Sequence, residues 1–353
     1  MESKFMKGCE AIAEAAIRSG CRFFAGYPIT PQNEIPEYLS RALPKVGGVF
    51  VQGESEVASI NMVYGAGGAG TMAMTSSSSP GVSLKLEGVS NLAAARIPAV
   101  MVNVMRAGPG MGTIQPAQSD YYLMSKAPGH GGFRTITLAP ATLQEAVDLT
   151  YEAFELAFRD RMPVIVAPDG FIAAIMEPVD LPDYRDPPET PAWAVAGCEG
   201  RDHINVLLNG GLNEEDQLAK NRIAEELYEK WDREDVRVET YKVEDAEYVF
   251  AAFGLAARIC KSCVDELREE GIKAGLIRPI TISPFPYAAF AALEDNVVKY
   301  VIDVEMSIPA QMVNDVRLGM KDRFPVAQVN TAGGLILDSE DVIAKVHELV
   351  KGV

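Results

Sequence analysis

The stretch VFVQGESEVASINMVYGAGGAGTMAMTS, residues 49–76, contains the repeating unit that decides the fold. A short apolar run, VFVQ, precedes a helical pattern that begins near Ser55, and a second apolar run, TMAMTS, follows that pattern. Strand, helix and strand in this order form a unit whose two strands lie parallel in one sheet. Two carboxylates, Glu54 and Glu56, stand where the first strand gives way to the helix.

Residues 65–70 of this stretch, GAGGAG, match the dinucleotide fingerprint G-x-G-x-x-G. A functional fingerprint follows a strand and opens a helix, so that a pyrophosphate meets the free N–H groups of the helix N-terminus. Here the order is reversed, because the glycines close a helix and lead into a strand. We therefore interpret the match as a false positive and reject an NAD-dependent dehydrogenase. The small residues instead predict a helix end packed closely against a flat group or another backbone.

The same alternation of apolar runs and helical patterns extends to about residue 170, and it predicts a parallel sheet covered on both faces. The predicted strands are CRFFAG, GGVFVQ, TMAMTS, PAVMVNVM, FRTITLAP and PVIVAP. The stretch EPVDLPDYRDPPETP, residues 177–191, reads as a surface linker, and a charged bracket helix follows it. We predict an α/β fold with a first domain at 1–178, a linker and bracket helix at 179–243, and a smaller α/β domain at 244–353.

The composition argues against several classes of partner. The net charge of −17 repels phosphate backbones and anionic lipid, so we expect neither nucleic acid nor a membrane as a partner. No apolar stretch reaches the roughly 18 residues of a membrane span, and the N-terminus carries acidic residues where a signal peptide is apolar. These features predict a cytoplasmic protein.

The cysteines do not form a recognisable metal or redox site. Their odd number, five, argues against a disulfide framework. Cys260 and Cys263 form C-x-x-C inside a predicted helix rather than at its first turn, where a helix dipole would activate a thiol. We therefore favour a structural role for this pair, and we expect no metal, zinc or iron–sulfur site on this chain.

Polar residues follow four of the predicted strands, where ligands of open parallel sheets bind. They are Thr30 in the turn GYPITP, Glu54 and Glu56, the serines Ser76–Ser79, and Arg106 before AGPGMGT. Each has an ordinary explanation alone: acids complement a helix dipole, and an arginine forms surface ion pairs. Together they predict a site that handles anions at one edge of the sheet.

Five segments resemble the α-type subunit of the 2-oxoacid:ferredoxin oxidoreductases, thiamine diphosphate enzymes that oxidise 2-oxoacids to acyl-CoA. They are GCRFFAGYPITPQNEIPEYL, FVQGESEVASINMVYGAGGAG, SSPGVSLKLEGVSNL, PAVMVNVMRAGPGMGT and QPAQSDY. The similarity covers nearly the whole chain and is strongest to the 2-oxoisovalerate (branched-chain) subfamily, with the 2-oxoglutarate subfamily next. It implies a parallel-sheet domain of the pyrimidine-binding type, followed by a smaller α/β domain like the C-terminal domain of transketolase.

The resemblance also implies residue roles. A glutamate that hydrogen-bonds N1′ of the aminopyrimidine activates the cofactor. That residue matches Glu56, with Glu54 as the second candidate, and the glycines after it would pack near the cofactor. Thr30 and Arg106 match the residues that bind the substrate, Arg106 through the 2-oxoacid carboxylate. The positions that match cofactor contacts are Pro28, Ile29, Glu56, Ser78 and Ser79.

The chain departs from the family at one of these positions and lacks one of the family's motifs. Many relatives read T-S-G-P-G where Ser79 replaces the glycine, so its β-carbon would restrict the turn or narrow the pocket. The magnesium motif G-D-G followed by asparagine is missing, because Asp169-Gly170 lacks the first glycine and the next asparagine is Asn205. We therefore expect a β-type partner subunit to hold Mg²⁺ and the diphosphate.

The resemblance further implies a γ-type subunit, a ferredoxin-like subunit with the iron–sulfur clusters, CoA as co-substrate and ferredoxin as acceptor. The favoured function is CoA-dependent oxidative decarboxylation of branched-chain 2-oxoacids, active only with the partner subunits. The same chemistry on 2-oxoglutarate or an aryl 2-oxoacid is the first alternative. A non-catalytic assembly or binding subunit is the alternative from another class, and the joint presence of Thr30, Glu56 and Arg106 argues against it.

Overall fold

The computed structural model describes residues 2–352 and contains three sheets flanked by helices. The strands are β1 (Glu2–Lys7), β2 (Phe23–Gly26), β3 (Val49–Gln52), β4 (Ala73–Ser77), β5 (Ala99–Asn103), β6 (Ile136–Leu138), β7 (Pro163–Val166), β8 (Met176–Leu181), β9 (Val238–Tyr241), β10 (Tyr248–Ala251), β11 (Ala274–Pro279), β12 (Thr281–Ser283), β13 (Tyr300–Glu305) and β14 (Val326–Asn330). The helices are α1 (Gly8–Arg18), α2 (Glu34–Ala42), α3 (Glu56–Gly68), α4 (Ser79–Ser83), α5 (Leu86–Ala95), α6 (Tyr121–Ser125), α7 (Leu143–Asp160), α8 (Gly170–Ala174), α9 (Glu214–Glu234), α10 (Gly254–Glu269), α11 (Tyr287–Ala291), α12 (Val313–Met320) and α13 (Ser339–Lys351). Among these residues, no helix is both long and apolar enough to cross a bilayer.

The first sheet has seven strands in the order β12-β6-β7-β5-β4-β2-β3, and all of its pairs are parallel except β12 with β6. Every residue of β4, β5 and β7 is buried, which is expected for central strands covered on both faces. One apolar core joins this sheet to α1, α2 and α7, and a separate core joins its other face to α3 and α5. The predicted α/β fold, its six strands and its covered parallel sheet are confirmed.

The second sheet has five strands in the order β14-β13-β10-β11-β9, of which only β9 runs antiparallel to its neighbour. The chain crosses between the two sheets, since β12 lies in the first sheet although β11 and β13 belong to the second. The smaller α/β unit is therefore present and packs against the first sheet through a shared apolar core. The exact domain limits at 178 and 243 stay a prediction.

The predicted surface linker at 177–191 is wrong in its first residues, which belong to β8. This strand pairs antiparallel with β1 in a two-stranded ribbon. Val179 and Leu181 are buried, whereas Pro178 and Asp180, which alternate with them, are exposed. The alternation of two apolar residues was too short to distinguish a strand from a proline-rich loop.

The glycines of the G-x-G-x-x-G match end α3, as predicted. A β-carbon at Gly67 would lie 2.7 Å from Ile97 Cγ2 and 2.9 Å from the Pro98 carbonyl oxygen, so the helix end does pack against another backbone. Their packing near a cofactor stays a prediction. They lie about 17 Å from Glu56, at the opposite end of α3.

A pair of buried carboxyl groups, Asp303 and Glu305, lies on β13. Glu305 accepts backbone N–H bonds from Gln311 and Val313 and so caps the turn before α12. Neither side-chain oxygen of Asp303 has a hydrogen-bond partner among the described residues. Burial, and then the nearby Glu305 carboxylate, raise the pKa of Asp303 well above its usual value, which favours the protonated form of Asp303.

We predict that Asp303→Asn stabilises the fold. Because the native pKa is raised, the native state binds more protons than the unfolded chain above about pH 4, and wild-type stability falls as pH rises through the native pKa. The amide avoids this loss, so the advantage of the variant in Tm should grow from pH 5 to pH 8. Glu305→Gln is the matched control and should destabilise, since it weakens an acceptor of backbone N–H groups. A lower Tm for Asp303→Asn at pH 8 would contradict the protonated assignment.

Candidate active site at the carboxyl edge of the first sheet

The structure distinguishes the two candidate carboxylates by their burial. After β3 the chain turns, and Ser55 caps α3 by accepting a bond from the Ala58 N–H at 3.1 Å. Glu56 is the first residue of α3 and is buried, whereas Glu54 is exposed. The positive end of the helix dipole favours an anion at this position. Glu56, and not Glu54, is therefore the buried carboxylate at this edge of the sheet.

The carboxylate of Glu56 occupies space that a side chain at position 81 would need. A β-carbon at Gly81 would lie 2.5 Å from Glu56 Oε1 and 2.3 Å from Ser77 Oγ. The hydroxyls of Ser77 and Ser78 are buried and have no hydrogen-bond partner within residues 2–352. Buried polar atoms are normally paired, so these hydroxyls mark a place for a polar group from outside the chain.

A buried lysine, Lys85, accompanies Glu56. Its side chain is fully buried between α4 and α5, and Nζ donates to Thr75 Oγ1 at 2.6 Å. Thr75 Oγ1 in turn donates to the Ala25 carbonyl at 2.7 Å. Burial lowers the pKa of Lys85 to about 7, and the Glu56 charge opposes this shift. Sequence reasoning missed Lys85, although a single lysine within the apolar run SLKL was a usable signal.

Thr30 and Arg106, which lie on different loops, are brought together. Arg106 Nη1 donates to the Thr30 carbonyl at 2.7 Å, and Nη2 donates to the Met111 carbonyl at 3.1 Å. Arg106 Nε is buried and has no partner among the residues that the structure describes. The Thr30 hydroxyl accepts only a long bond of 3.4 Å from Asn33 Nδ2. The guanidinium is thus held by main-chain oxygens, and one of its donors is left for another acceptor.

The remaining predicted contacts lie on the same edge. Pro28 and Ile29 precede Thr30 in the turn after β2, with Pro28 exposed and Ile29 half-buried. Ser79 begins α4, and its hydroxyl reaches Asp120, a residue that sequence reasoning also missed. Asp120 is in the motif QPAQSDY, but nothing in the spacing of that motif along the sequence indicated a contact with Ser77–Ser79, the serine turn.

Asp169, the nearest match to a magnesium motif, has a structural role. Its carboxylate caps α8 by accepting bonds from the Phe171 and Ile172 N–H groups, and it also accepts the Leu255 N–H at 2.8 Å. It therefore links the start of α8 to the start of α10. No cluster of three or more His, Cys, Asp or Glu side chains suited to a metal occurs within residues 2–352.

The C-x-x-C pair is buried in the middle of α10. Burial raises the pKa of Cys260 well above its usual value and that of Cys263 to about 11. Reactive thiols have a lowered pKa, so these two resemble structural cysteines.

A cleft of about 990 Å³ lies at the other edge of the sheet, between α5 and α9. Its lining includes Arg96 and Met162, which precede the amino ends of β5 and β7. Ligands of open parallel sheets bind beyond the carboxyl ends of the strands, so the size of this cleft does not displace the edge around Glu56 as the candidate site.

Two family matches cover most of the chain. Residues 14–244 match the family described as pyruvate flavodoxin/ferredoxin oxidoreductase, thiamine diphosphate-binding, and residues 246–342 match the pyruvate:ferredoxin oxidoreductase core domain II. The chain belongs to the 2-oxoacid:ferredoxin oxidoreductase family. It is a subunit of an oxidoreductase of that family, as the resemblance implied.

Curated relatives align over almost their full length. The ketoisovalerate oxidoreductase subunit VorB of Methanothermobacter thermautotrophicus is 44% identical over 99% of this chain and 98% of that protein. The 2-oxoglutarate synthase subunit KorA of Archaeoglobus fulgidus is 37% identical, with 88% of each chain covered. Both relatives are named as subunits, which indicates a multi-subunit oxidoreductase.

Solved structures of two related folds match the whole chain. The 2-oxoglutarate:ferredoxin oxidoreductase from Magnetococcus marinus, solved with 2-oxoglutarate, coenzyme A and succinyl-CoA bound, matches with a TM-score of 0.84 and 25% identity. The match covers 98% of this chain and 65% of that longer chain. A split-gene transketolase matches 99% of each chain with a TM-score of 0.62 at 13% identity, which shows the shared fold. The predicted transketolase-like architecture is confirmed.

We predict that Lys85→Met raises Tm at neutral pH. With a native pKa near 7, the native state binds fewer protons than the unfolded chain between about pH 7 and 10, so wild-type stability rises with pH over that range. The gain from removing the ammonium should therefore be largest near pH 7 and shrink towards pH 10. Lys126→Met is the contrasting control, because Lys126 pairs with Asp315 and its loss should lower Tm. A lower Tm for Lys85→Met would show that its interactions outweigh the cost of burial.

Proposed function

We propose that this chain supplies the pyrimidine-facing half of a thiamine diphosphate site and oxidises branched-chain 2-oxoacids, of the 2-oxoisovalerate type, together with partner subunits. The observation that carries the proposal is the convergence, at one sheet edge, of a buried carboxylate, two unpartnered serine hydroxyls and an arginine with a free donor. The described residues fit a polar aromatic ring beside Glu56 and an anionic substrate beside Arg106.

Glu56 would hold the cofactor through its aminopyrimidine. Its carboxylate oxygens lie beside the serine turn and would bind N1′, holding a proton between the carboxylate and the ring nitrogen. Ser77 Oγ shares with Glu56 Oε1 the space beside Gly81, and the hydroxyls of Ser77 and Ser78, which have no partner among the described residues, would complete the contacts around the ring. Thiamine diphosphate, when bound, supplies the carbon nucleophile that attacks the 2-oxo group.

Arg106 would orient the substrate. A guanidinium fixed by the Thr30 and Met111 carbonyls can bind the substrate carboxylate without first being ordered, which reduces the entropic cost of binding. The Thr30 hydroxyl, with only one long hydrogen bond, is available to the 2-oxo oxygen. The two residues together would place the oxo carbon in a fixed direction relative to Glu56.

The diphosphate, Mg²⁺ and iron–sulfur clusters would belong to partner subunits. Asp169, the nearest magnesium-type residue, is fully engaged with backbone N–H groups. We propose a β-type subunit for the diphosphate, a γ-type subunit, a ferredoxin-like subunit for the clusters, CoA as co-substrate and ferredoxin as acceptor. The relative at 44% identity, named for ketoisovalerate, favours a branched-chain substrate over 2-oxoglutarate, for which a relative at 37% is named.

A panel of 2-oxoacids tests the substrate. The reconstituted complex, given CoA, thiamine diphosphate and a viologen dye, should show kcat/KM at least about tenfold higher for 2-oxoisovalerate than for 2-oxoglutarate, since a pocket built for an apolar tail leaves the second carboxylate unpaired. A preference for 2-oxoglutarate or an aryl 2-oxoacid would support the first alternative. An intact complex that oxidises none of them would indicate a non-catalytic assembly subunit.

We predict that Glu56→Gln lowers kcat by at least about 100-fold, because the amide cannot exchange a proton with N1′. Glu54→Gln is the matched control: it makes the same chemical change two residues away, at an exposed position, and should retain wild-type activity. Steady-state kinetics of the reconstituted complex, with size-exclusion chromatography to verify assembly, provide the measurement. Full turnover by the Glu56 variant would remove this residue from its proposed role.

A further inference from the structure

Ser79 adopts a backbone conformation that is unfavourable for its residue type. Its φ of +23° lies on the side of the Ramachandran plot that L residues rarely occupy. The backbone N–H of Ser79 donates to Asn103 Oδ1 at 3.0 Å, which holds the turn in place. A glycine would meet no such restriction here, so the serine side chain must contribute something that offsets the strain.

The hydroxyl of Ser79 connects two parts of the site. It donates to Asp120 Oδ2 at 2.6 Å and accepts the backbone N–H of Arg106 at 3.0 Å. The Arg106 carbonyl oxygen, 3.1 Å away, is an alternative acceptor for the hydroxyl proton. The side chain therefore points towards the main chain of Arg106 and the carboxylate of Asp120.

Asp120 completes the connection. Its Oδ2 also accepts a bond from Asn103 Nδ2 at 3.0 Å, so the ends of β4, β5 and the start of α6 meet at one oxygen atom. Burial raises the pKa of Asp120, whereas the two hydrogen bonds and the nearby Arg106 charge lower it. The Asp120 carboxyl group is thus buried and accepts hydrogen bonds from Ser79, at the start of α4, and from Asn103, at the end of β5.

We propose that Ser79 is a positioning residue that, through Asp120 and Asn103, fixes the main chain of Arg106 and so sets the affinity of the site for the 2-oxoacid carboxylate. The inference rests on the substrate-binding role proposed for Arg106. The Thr30 and Met111 carbonyls hold the guanidinium, and the Ser79 hydroxyl holds the backbone from which the Arg106 side chain extends, so both anchors are needed to keep its direction. A small displacement of that backbone would misplace the donors that face the substrate.

The variants Ser79→Ala and Ser79→Gly separate the hydroxyl from the backbone strain. Both remove the hydroxyl, but only glycine relieves the positive φ. In the reconstituted complex, both should raise KM for the 2-oxoacid by about three- to tenfold, as expected for the loss of one buried hydrogen bond, with kcat within about twofold. If the conformation of the turn matters rather than the bonds of the hydroxyl, Ser79→Gly, which adopts a positive φ freely, will keep the wild-type KM and only Ser79→Ala will differ, which would overturn the proposal.

Two variants of Asp120 test whether its hydrogen bonds, rather than its charge, hold Ser79 and Asn103. Asp120→Asn keeps an oxygen that can accept both bonds, so its KM should remain within about twofold of wild type, whereas Asp120→Ala should resemble Ser79→Ala. The double variant Ser79→Ala/Asp120→Ala should be no worse than either single change, because both remove the same connection. Additive effects would show that the two residues act independently.

Two further measurements distinguish a failed positioning role from a failed site assignment. Arg106→Ala should raise KM by about 10- to 100-fold, since it removes charged hydrogen bonds to the substrate. If it does not, the role of Arg106 is wrong; if it does while both Ser79 variants bind normally, only the positioning role is wrong. Binding is also read without turnover, as the 2-oxoacid-induced rise in Tm of the complex free of thiamine diphosphate. That rise should shrink in the Ser79 variants.

Discussion

The structure of the candidate site depends on the burial of one carboxylate, that of Glu56. An ionised carboxylate taken out of water is unfavourable unless fixed dipoles, charges or hydrogen bonds compensate for its lost hydration. Here the N-terminus of α3 provides part of that compensation, and the Glu56 charge in turn favours the charged form of the buried Lys85. The same carboxylate explains the glycine at position 81, because Glu56 Oε1 occupies space that a side chain at that position would need. Within residues 2–352, neither the Ser77 hydroxyl nor the Ser78 hydroxyl adds a hydrogen bond to the Glu56 carboxylate.

At the carboxyl edge of the first sheet, the charged residues Glu56 and Arg106 lie on different elements. Glu56 is the first residue of α3, which follows β3. Arg106 lies on the loop after β5 and donates to the carbonyls of Thr30, on another loop, and of Met111, on its own loop. The serine turn before α4 lies between them: Ser77 is close to Glu56, and Ser79 is bonded to the main chain of Arg106. One short segment therefore lies beside the Glu56 carboxylate and is bonded to the backbone of Arg106, which makes it sensitive to substitutions larger than serine. This arrangement is consistent with an acid that serves the cofactor and a cation that serves the substrate.

Much of the fold could be predicted from the sequence because its signals are local. Apolar runs such as PVIVAP and capped helices such as α7 depend on neighbouring residues. The pairing of β1 with β8 and the transfer of β12 to the first sheet depend on contacts between residues far apart in the chain. The same limit applies to the site: the strand ends placed Glu54, Glu56 and Arg106 at one edge by topology, and the family resemblance favoured Glu56. Lys85 and Asp120 act through contacts that no spacing in the sequence records.

A structure of the assembled complex with thiamine diphosphate bound would show directly whether Glu56 binds the aminopyrimidine of the cofactor. We expect N1′ of the aminopyrimidine to lie within about 3 Å of a Glu56 carboxylate oxygen, with the diphosphate held by a different subunit. A cofactor whose N1′ faces another residue, or which lies entirely within a partner subunit, would contradict it.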